Sequence, residues 1–149
     1  PLRVEGATGY IDTNYEGKAK MAIDALKFMD FVFVHLEAPD EMGHEGNAEG
    51  KIRAIELFDE RIVGPILTSI GEIDEFRILV LSDHPTPIDI KTHVSDPSPF
   101  AVLSSRPQEN LAAGKPFTEA NAKEGGLLVS PGHQLMDKFI RDWSAFIGK

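Results

Sequence analysis

Leu79-Val-Leu-Ser-Asp-His-Pro-Thr-Pro-Ile-Asp-Ile-Lys-Thr-His93 begins as an unbroken apolar run and stops abruptly at an aspartate and a histidine. An earlier run, Phe31-Val-Phe-Val-His-Leu36, is likewise followed by Asp40 and His44. Short runs of β-branched and aromatic residues with little alternation suit strands buried on both faces. The later strand is read as Arg77 to Leu81. Between the two runs, Ile52, Ile55, Phe58, Ile62, Ile66 and Ile70 recur at helical spacing, with Lys51, Arg53, Glu56, Glu60 and Arg61 off that stripe. Strand, helix and strand in that order predict a right-handed crossover joining parallel strands. The expected fold class is therefore α/β, a mostly parallel sheet flanked by helices.

Parallel strands direct their C-terminal ends to one edge, where open α/β sheets bind ligands. On this reading Asp40, His44, Asp83 and His84 converge, and Pro85 and Pro87 stiffen a loop that can bring His93 to the same edge. Asp40 and His44 are four residues apart, so a helical turn opened by Pro39 would put both on one face. Each piece also has a plain structural reading: a solvated acidic loop, a turn after a strand, a surface histidine. The joint pattern favours a metal site. Carboxylates and imidazoles without sulfur suit Mn, Zn, Co or Fe better than an all-oxygen Ca or Mg cage. Two divalent ions about 3.5 to 4 Å apart would form a clamp for phosphoryl transfer. Asp89 is a lesser alternative ligand, and Lys91 either meets a phosphate or is a solvated charge. His35 is expected in the core, and His133, in the first turn of the last helix, either has a structural role or helps hold an anion at that helix N-terminus.

The remaining punctuation completes the reading. Thr13 and Glu16 sit at capping-box spacing before Ala19, Ala22, Ile23 and Leu26. Gly64-Pro65 should kink or split the long helix. Phe100 to Leu103 reads as another strand, Ser104 to Gly114 as a polar loop, and Thr118 to Lys123 as a short helix closed by Gly125-Gly126. Ser130 as N-cap and Pro131 at the first helical position predict a last helix carrying Leu135, Met136, Phe139, Ile140 and Trp143.

The chain has 149 residues, 42% of them hydrophobic, which fits a single domain over 1–149. A net charge of -9 argues against nucleic acid or an anionic membrane surface as partner. The absence of cysteine excludes disulfides and thiolate metal sites and fits the cytoplasm. No apolar stretch approaches the roughly 20 residues of a membrane span.

Ala38-Pro-Asp-Glu-Met-Gly-His44, Lys51-Ile-Arg-Ala-Ile-Glu56, Asp59-Glu-Arg-Ile-Val-Gly-Pro-Ile66, Leu81-Ser-Asp-His-Pro-Thr-Pro87, Lys91-Thr-His93 and Ser95-Asp-Pro97 together resemble the cofactor-independent phosphoglycerate mutases. The likeness is to their archaeal-type branch, within the alkaline phosphatase superfamily. It implies a metal-dependent enzyme that interconverts 3-phosphoglycerate and 2-phosphoglycerate through a phosphoserine. It implies two divalent ions (Mn, Zn, Co or Mg), one held by Asp40, His44 and His93 and the other by Asp83 and His84. It also implies that the nucleophilic serine, a further aspartate and the substrate-gripping residues lie upstream in a longer chain. The sequence is thus expected to be the C-terminal part of an alkaline-phosphatase-like core, inactive without its N-terminal half. The alternatives are another phosphohydrolase or phosphotransferase of the superfamily, or a noncatalytic metal-stabilised domain.

Overall fold

Asn14, not Thr13, opens the first helix. The computed structural model describes residues 1–71, 73–110 and 115–148. In it the Asn14 side-chain oxygen accepts from the Gly17 amide at 2.8 Å, capping α1 (Tyr15–Ala25). Thr13 is buried, and its hydroxyl accepts instead from the Thr8 amide at 2.9 Å. The expected Thr13 cap is replaced because asparagine, one residue later, supplies the same acceptor to an otherwise unpaired first-turn amide.

The described residues pack as two compact units. The first runs to Gly71 and includes Pro85–Ser95; the second joins Ile73–His84 to the described residues from Asp96 onward. In the first unit, α1 is followed by α2 (Ala38–Glu45) and α3 (Ala48–Phe58). A π-helical turn (Asp59–Val63) then leads into α4 (Gly64–Ile70). That wider turn is how the chain absorbs Pro65, which lacks an amide proton and would collide with the preceding α-turn. The helix is neither split nor terminated there. Ile52 and Ile55, expected in the core, are exposed, whereas Ala54, Leu57, Ile62 and Ile70 are buried. The core gathers Tyr15, Leu57 and Ile62 with Ile11, Val34, Leu36, Phe58 and Ile66 around them. A side chain such as Ile62 contributes about 1.5–3 kcal/mol by its burial.

Tyr15 is almost fully buried, and its hydroxyl finds no partner among the described residues. An unpaired buried hydroxyl is a cost that phenylalanine would not carry. Tyr15→Phe is therefore expected to raise stability by about 1 kcal/mol in urea unfolding. A lowered midpoint would show that the hydroxyl is bonded.

The second unit holds β1 (Arg77–Leu81) and β2 (Phe100–Ser104), an antiparallel pair with Arg77 opposite Ser104 and Leu81 opposite Phe100. A 3-10 turn (Pro107–Glu109) and α5 (Glu119–Gly125) follow, the latter capped by Thr118 and closed by left-handed Gly126. The end of the expected loop, residues 111–114, lies outside the described residues. At the C-terminus, Ser130-Pro131 is cis and Pro131 is extended. The helical stretch therefore starts at Gly132 and Ser130 does not cap it. It runs through a 3-10 turn (Gly132–Gln134), α6 (Leu135–Asp137), a π turn (Lys138–Asp142) and α7 (Trp143–Phe146). Leu135, Phe139 and Trp143, spaced by four, are buried, while Met136 and Ile140 face solvent.

The parallel crossover is the expectation that fails. Residues 31–36 have no regular secondary structure and join no ladder among the described residues. Phe31 is 46% and Phe33 69% exposed, and His35, expected in the core, is exposed as well. The described sheet is the β1–β2 pair alone, antiparallel, in a chain that is otherwise mostly helical. Composition registered side chains fit for a buried strand, but a strand exists only where a neighbour takes its amides and carbonyls.

Candidate metal centre

Local punctuation builds the first half of the site. Pro39 opens α2 at a position where an amide would lack a partner anyway, and Asp40 follows in the first turn, where the helix dipole favours a carboxylate. One turn later His44 lies on the same face, its Nε2 at 3.3 Å from Oδ2 of Asp40. The helix stops at Gly46, whose φ of 73° is the left-handed conformation that glycine adopts without strain.

The second half comes from the loop after His84. The Lys91 amide donates to the Pro87 carbonyl at 2.8 Å, and the Val94 amide to the Pro85 carbonyl at 3.1 Å. Between them Lys91 takes φ 58°, a left-handed value uncommon for a residue with a side chain. The reversal places the Lys91 carbonyl 3.0 Å from Nδ1 of His44. A carbonyl only accepts, so Nδ1 carries the proton and Nε2 presents its lone pair. That lone pair meets Nε2 of His93 at 3.1 Å, and His93 Nε2 lies 3.5 Å from Oδ1 of Asp40.

The Asp40 carboxylate and the two imidazoles thus face one another at 3.1 to 3.5 Å, His44 through Oδ2 and His93 through Oδ1. Bonds of about 2.0–2.2 Å to a transition-metal ion hold adjacent donors roughly 3.0–3.5 Å apart in a tetrahedron or octahedron. The donor set fits a divalent cation in chemistry and in spacing. The side chains of Asp40 and His44 are about one-third exposed (32% and 36%), so an ion there would keep positions open to solvent or substrate.

Asp83 and His84 belong to the second unit, directly beyond β1, as read from the sequence. The His84 amide donates to Oδ1 of Asp83 at 3.0 Å, and His84 Nε2 lies 3.4 Å from its Oδ2. The turn that the sequence suggested for this pair is present. Asp89 is exposed in its turn, and His133 is exposed in the 3-10 turn before α6. Lys91 is exposed, and its Nζ donates to the Glu45 carbonyl at 3.2 Å. Spacing did not point to Thr86 or Lys51. The Thr86 hydroxyl donates to Oδ1 of Asp40, and Lys51 Nζ donates to the Thr86 carbonyl at 2.6 Å. The only sequence signal was a threonine between two prolines, in a loop already suspected of carrying ligands.

The profile of the Metalloenzyme superfamily matches residues 2–139. The chain is 58% identical over 141 residues to the 2,3-bisphosphoglycerate-independent phosphoglycerate mutase of Methanosarcina barkeri, covering 94% of this chain and 35% of that protein. It is 49% identical over 139 residues to the probable 2,3-bisphosphoglycerate-independent phosphoglycerate mutase of Geobacter sulfurreducens, covering 93% of this chain and 35% of that protein. It therefore spans about one-third of the length of these relatives. Among solved structures, the PH0037 protein from Pyrococcus horikoshii matches with a TM-score of 0.81 at 33% identity, over 99% of this chain and 43% of the other.

Proposed function

Because the chain belongs to the Metalloenzyme superfamily, and so to proteins that use divalent metal, we propose that it supplies most of the metal ligands of a phosphoglycerate mutase. The whole protein would interconvert 3-phosphoglycerate and 2-phosphoglycerate in the cytoplasm, with this chain as part of its phosphatase-like core. The observation that supports the reading most is the gathering of the Asp40 carboxylate, His44 Nε2 and His93 Nε2, with His44 3.3 Å from Oδ2, His93 3.5 Å from Oδ1 and the two nitrogens 3.1 Å apart.

Asp40, His44 and His93 would hold one ion, while Asp83 and His84 would contribute to a second. Such ions, when bound, activate an oxygen nucleophile and neutralise charge on the transferring phosphoryl group. The chain's own residues set the stage. The Lys91 carbonyl keeps the proton of His44 on Nδ1, and the dipole of α2 favours the ionised form of Asp40. With a net charge of -9, the chain needs bound cations to accept an anionic phosphate ester. The serine that takes the phosphoryl group belongs, on this proposal, to the part of the longer protein outside this chain.

The test is conversion of 3-phosphoglycerate by the whole protein. Formation of 2-phosphoglycerate is expected, with activity abolished by a chelator and restored by Mn. Release of inorganic phosphate without 2-phosphoglycerate would contradict the mutase reading.

A further inference from the structure

Helix α2 alone does not set the orientation of Asp40. Its carboxylate can still rotate about the bond to Cβ, exchanging the two oxygens or turning both away from His44. Thr86 blocks that rotation. It is 3% exposed, and its hydroxyl donates to Oδ1 of Asp40. Its own place is fixed twice over. Lys51 Nζ bonds its carbonyl at 2.6 Å. Gly43, on the helix between Asp40 and His44, lets the same carbonyl approach so closely that a Cβ there would lie 2.5 Å from the oxygen.

We propose that Thr86 is a positioning residue for the metal centre: its hydroxyl holds Oδ1 of Asp40, fixing the carboxylate with Oδ2 toward Nε2 of His44 and Oδ1 on the side of His93. The inference rests on the assignment of Asp40, His44 and His93 to one ion. Threonine suits the task because its branched β-carbon restricts the hydroxyl to few rotamers. The bond to Oδ1 complements what the Lys91 carbonyl does for His44, so two of the three donors are oriented before any ion arrives. Partners that orient ligands in this way typically account for 10–100-fold in metal affinity.

The test is calorimetric titration of the metal-free protein with Mn, paired with its thermal unfolding midpoint before metal is added. Thr86→Val keeps the branched shape and loses the donor, so Mn affinity should fall roughly 10–100-fold. Thr86→Ser, which restores the hydroxyl, should recover most of it. Thr86→Ala, without the hydroxyl and without an added methyl, carries the same expectation as valine should valine not fold. A lowered midpoint with unchanged Mn affinity in Thr86→Val or Thr86→Ala overturns the inference and leaves the metal centre standing. A parent protein that takes up no Mn overturns the assignment itself, and the positioning role with it.

Discussion

Glu109→Ala should destabilise the protein by about 3–5 kcal/mol, because it takes the carboxylate from a guanidinium whose side chain is only 22% exposed and leaves two serine hydroxyls without their acceptor. The Glu109 side chain is fully buried. It accepts from Nε and Nη2 of Arg77 at 2.7 and 2.8 Å, and from the hydroxyls of Ser104 and Ser144 at 2.7 and 2.6 Å. Arg77 completes the network through Nη1, which donates to the Phe139 carbonyl at 2.9 Å. One carboxylate therefore ties β1, β2 and the C-terminal helical stretch together. Removing both charges, as in Arg77→Met with Glu109→Leu, should cost clearly less than either Glu109→Ala or Arg77→Ala alone, since no unpaired ion remains. A double-mutant cycle in urea measures the difference.

The same network sets a pH dependence. The Arg77 hydrogen bond, opposed by burial and reinforced by Ser144 and Ser104, holds the Glu109 carboxyl at about 2 against its ordinary 4.5. Its folded value lies below its unfolded one, so its contribution is fully present above about pH 4.5 and is lost as the pH falls toward about 2. Glu109→Gln, which cannot titrate, should flatten the stability profile across that window. An unchanged profile would show that Glu109 is not the group responsible.

The second large effect is expected at the donor set. Removing the imidazole in His44→Ala deletes one of three converging donors and should weaken Mn or Zn binding by more than the roughly 100-fold that loss of an orienting partner costs. The His44 side chain is 36% exposed and is not part of the core around Tyr15, Leu57 and Ile62, so the unfolding midpoint of the metal-free protein should change little. On the proposed function, the substitution in the whole protein should remove mutase activity at ordinary metal concentrations. Metal affinity equal to the parent's would exclude His44 as a ligand.

Much of the candidate donor set was legible because it is written in local chemistry. Pro39 and the four-residue spacing of Asp40 and His44 specify a one-face pair on a short helix, and α2 carries it. His93 needed more, a left-handed Lys91 and two loop hydrogen bonds that no spacing reveals. The strands at Arg77 and Phe100 were readable from their composition, but their antiparallel pairing depends on partners that periodicity cannot name. The same limit undid the reading of residues 31–36, whose side chains suit a sheet but whose backbone joins no ladder among the described residues. The helical stripe was misplaced for a related reason. Ile52 and Ile55 are the more hydrophobic residues, yet packing of α2 on α3 turns the small Ala54 inward. The Arg77–Glu109 pair is separated by 32 positions, and charges that meet only in three dimensions leave no pattern along the chain.

The most direct measurement is anomalous scattering from crystals soaked in Mn or Zn. A peak within about 2.0–2.3 Å of an Asp40 carboxylate oxygen, His44 Nε2 and His93 Nε2 together is the predicted result. Metal bound elsewhere, with these three atoms still in contact with one another and no ion among them, would contradict it.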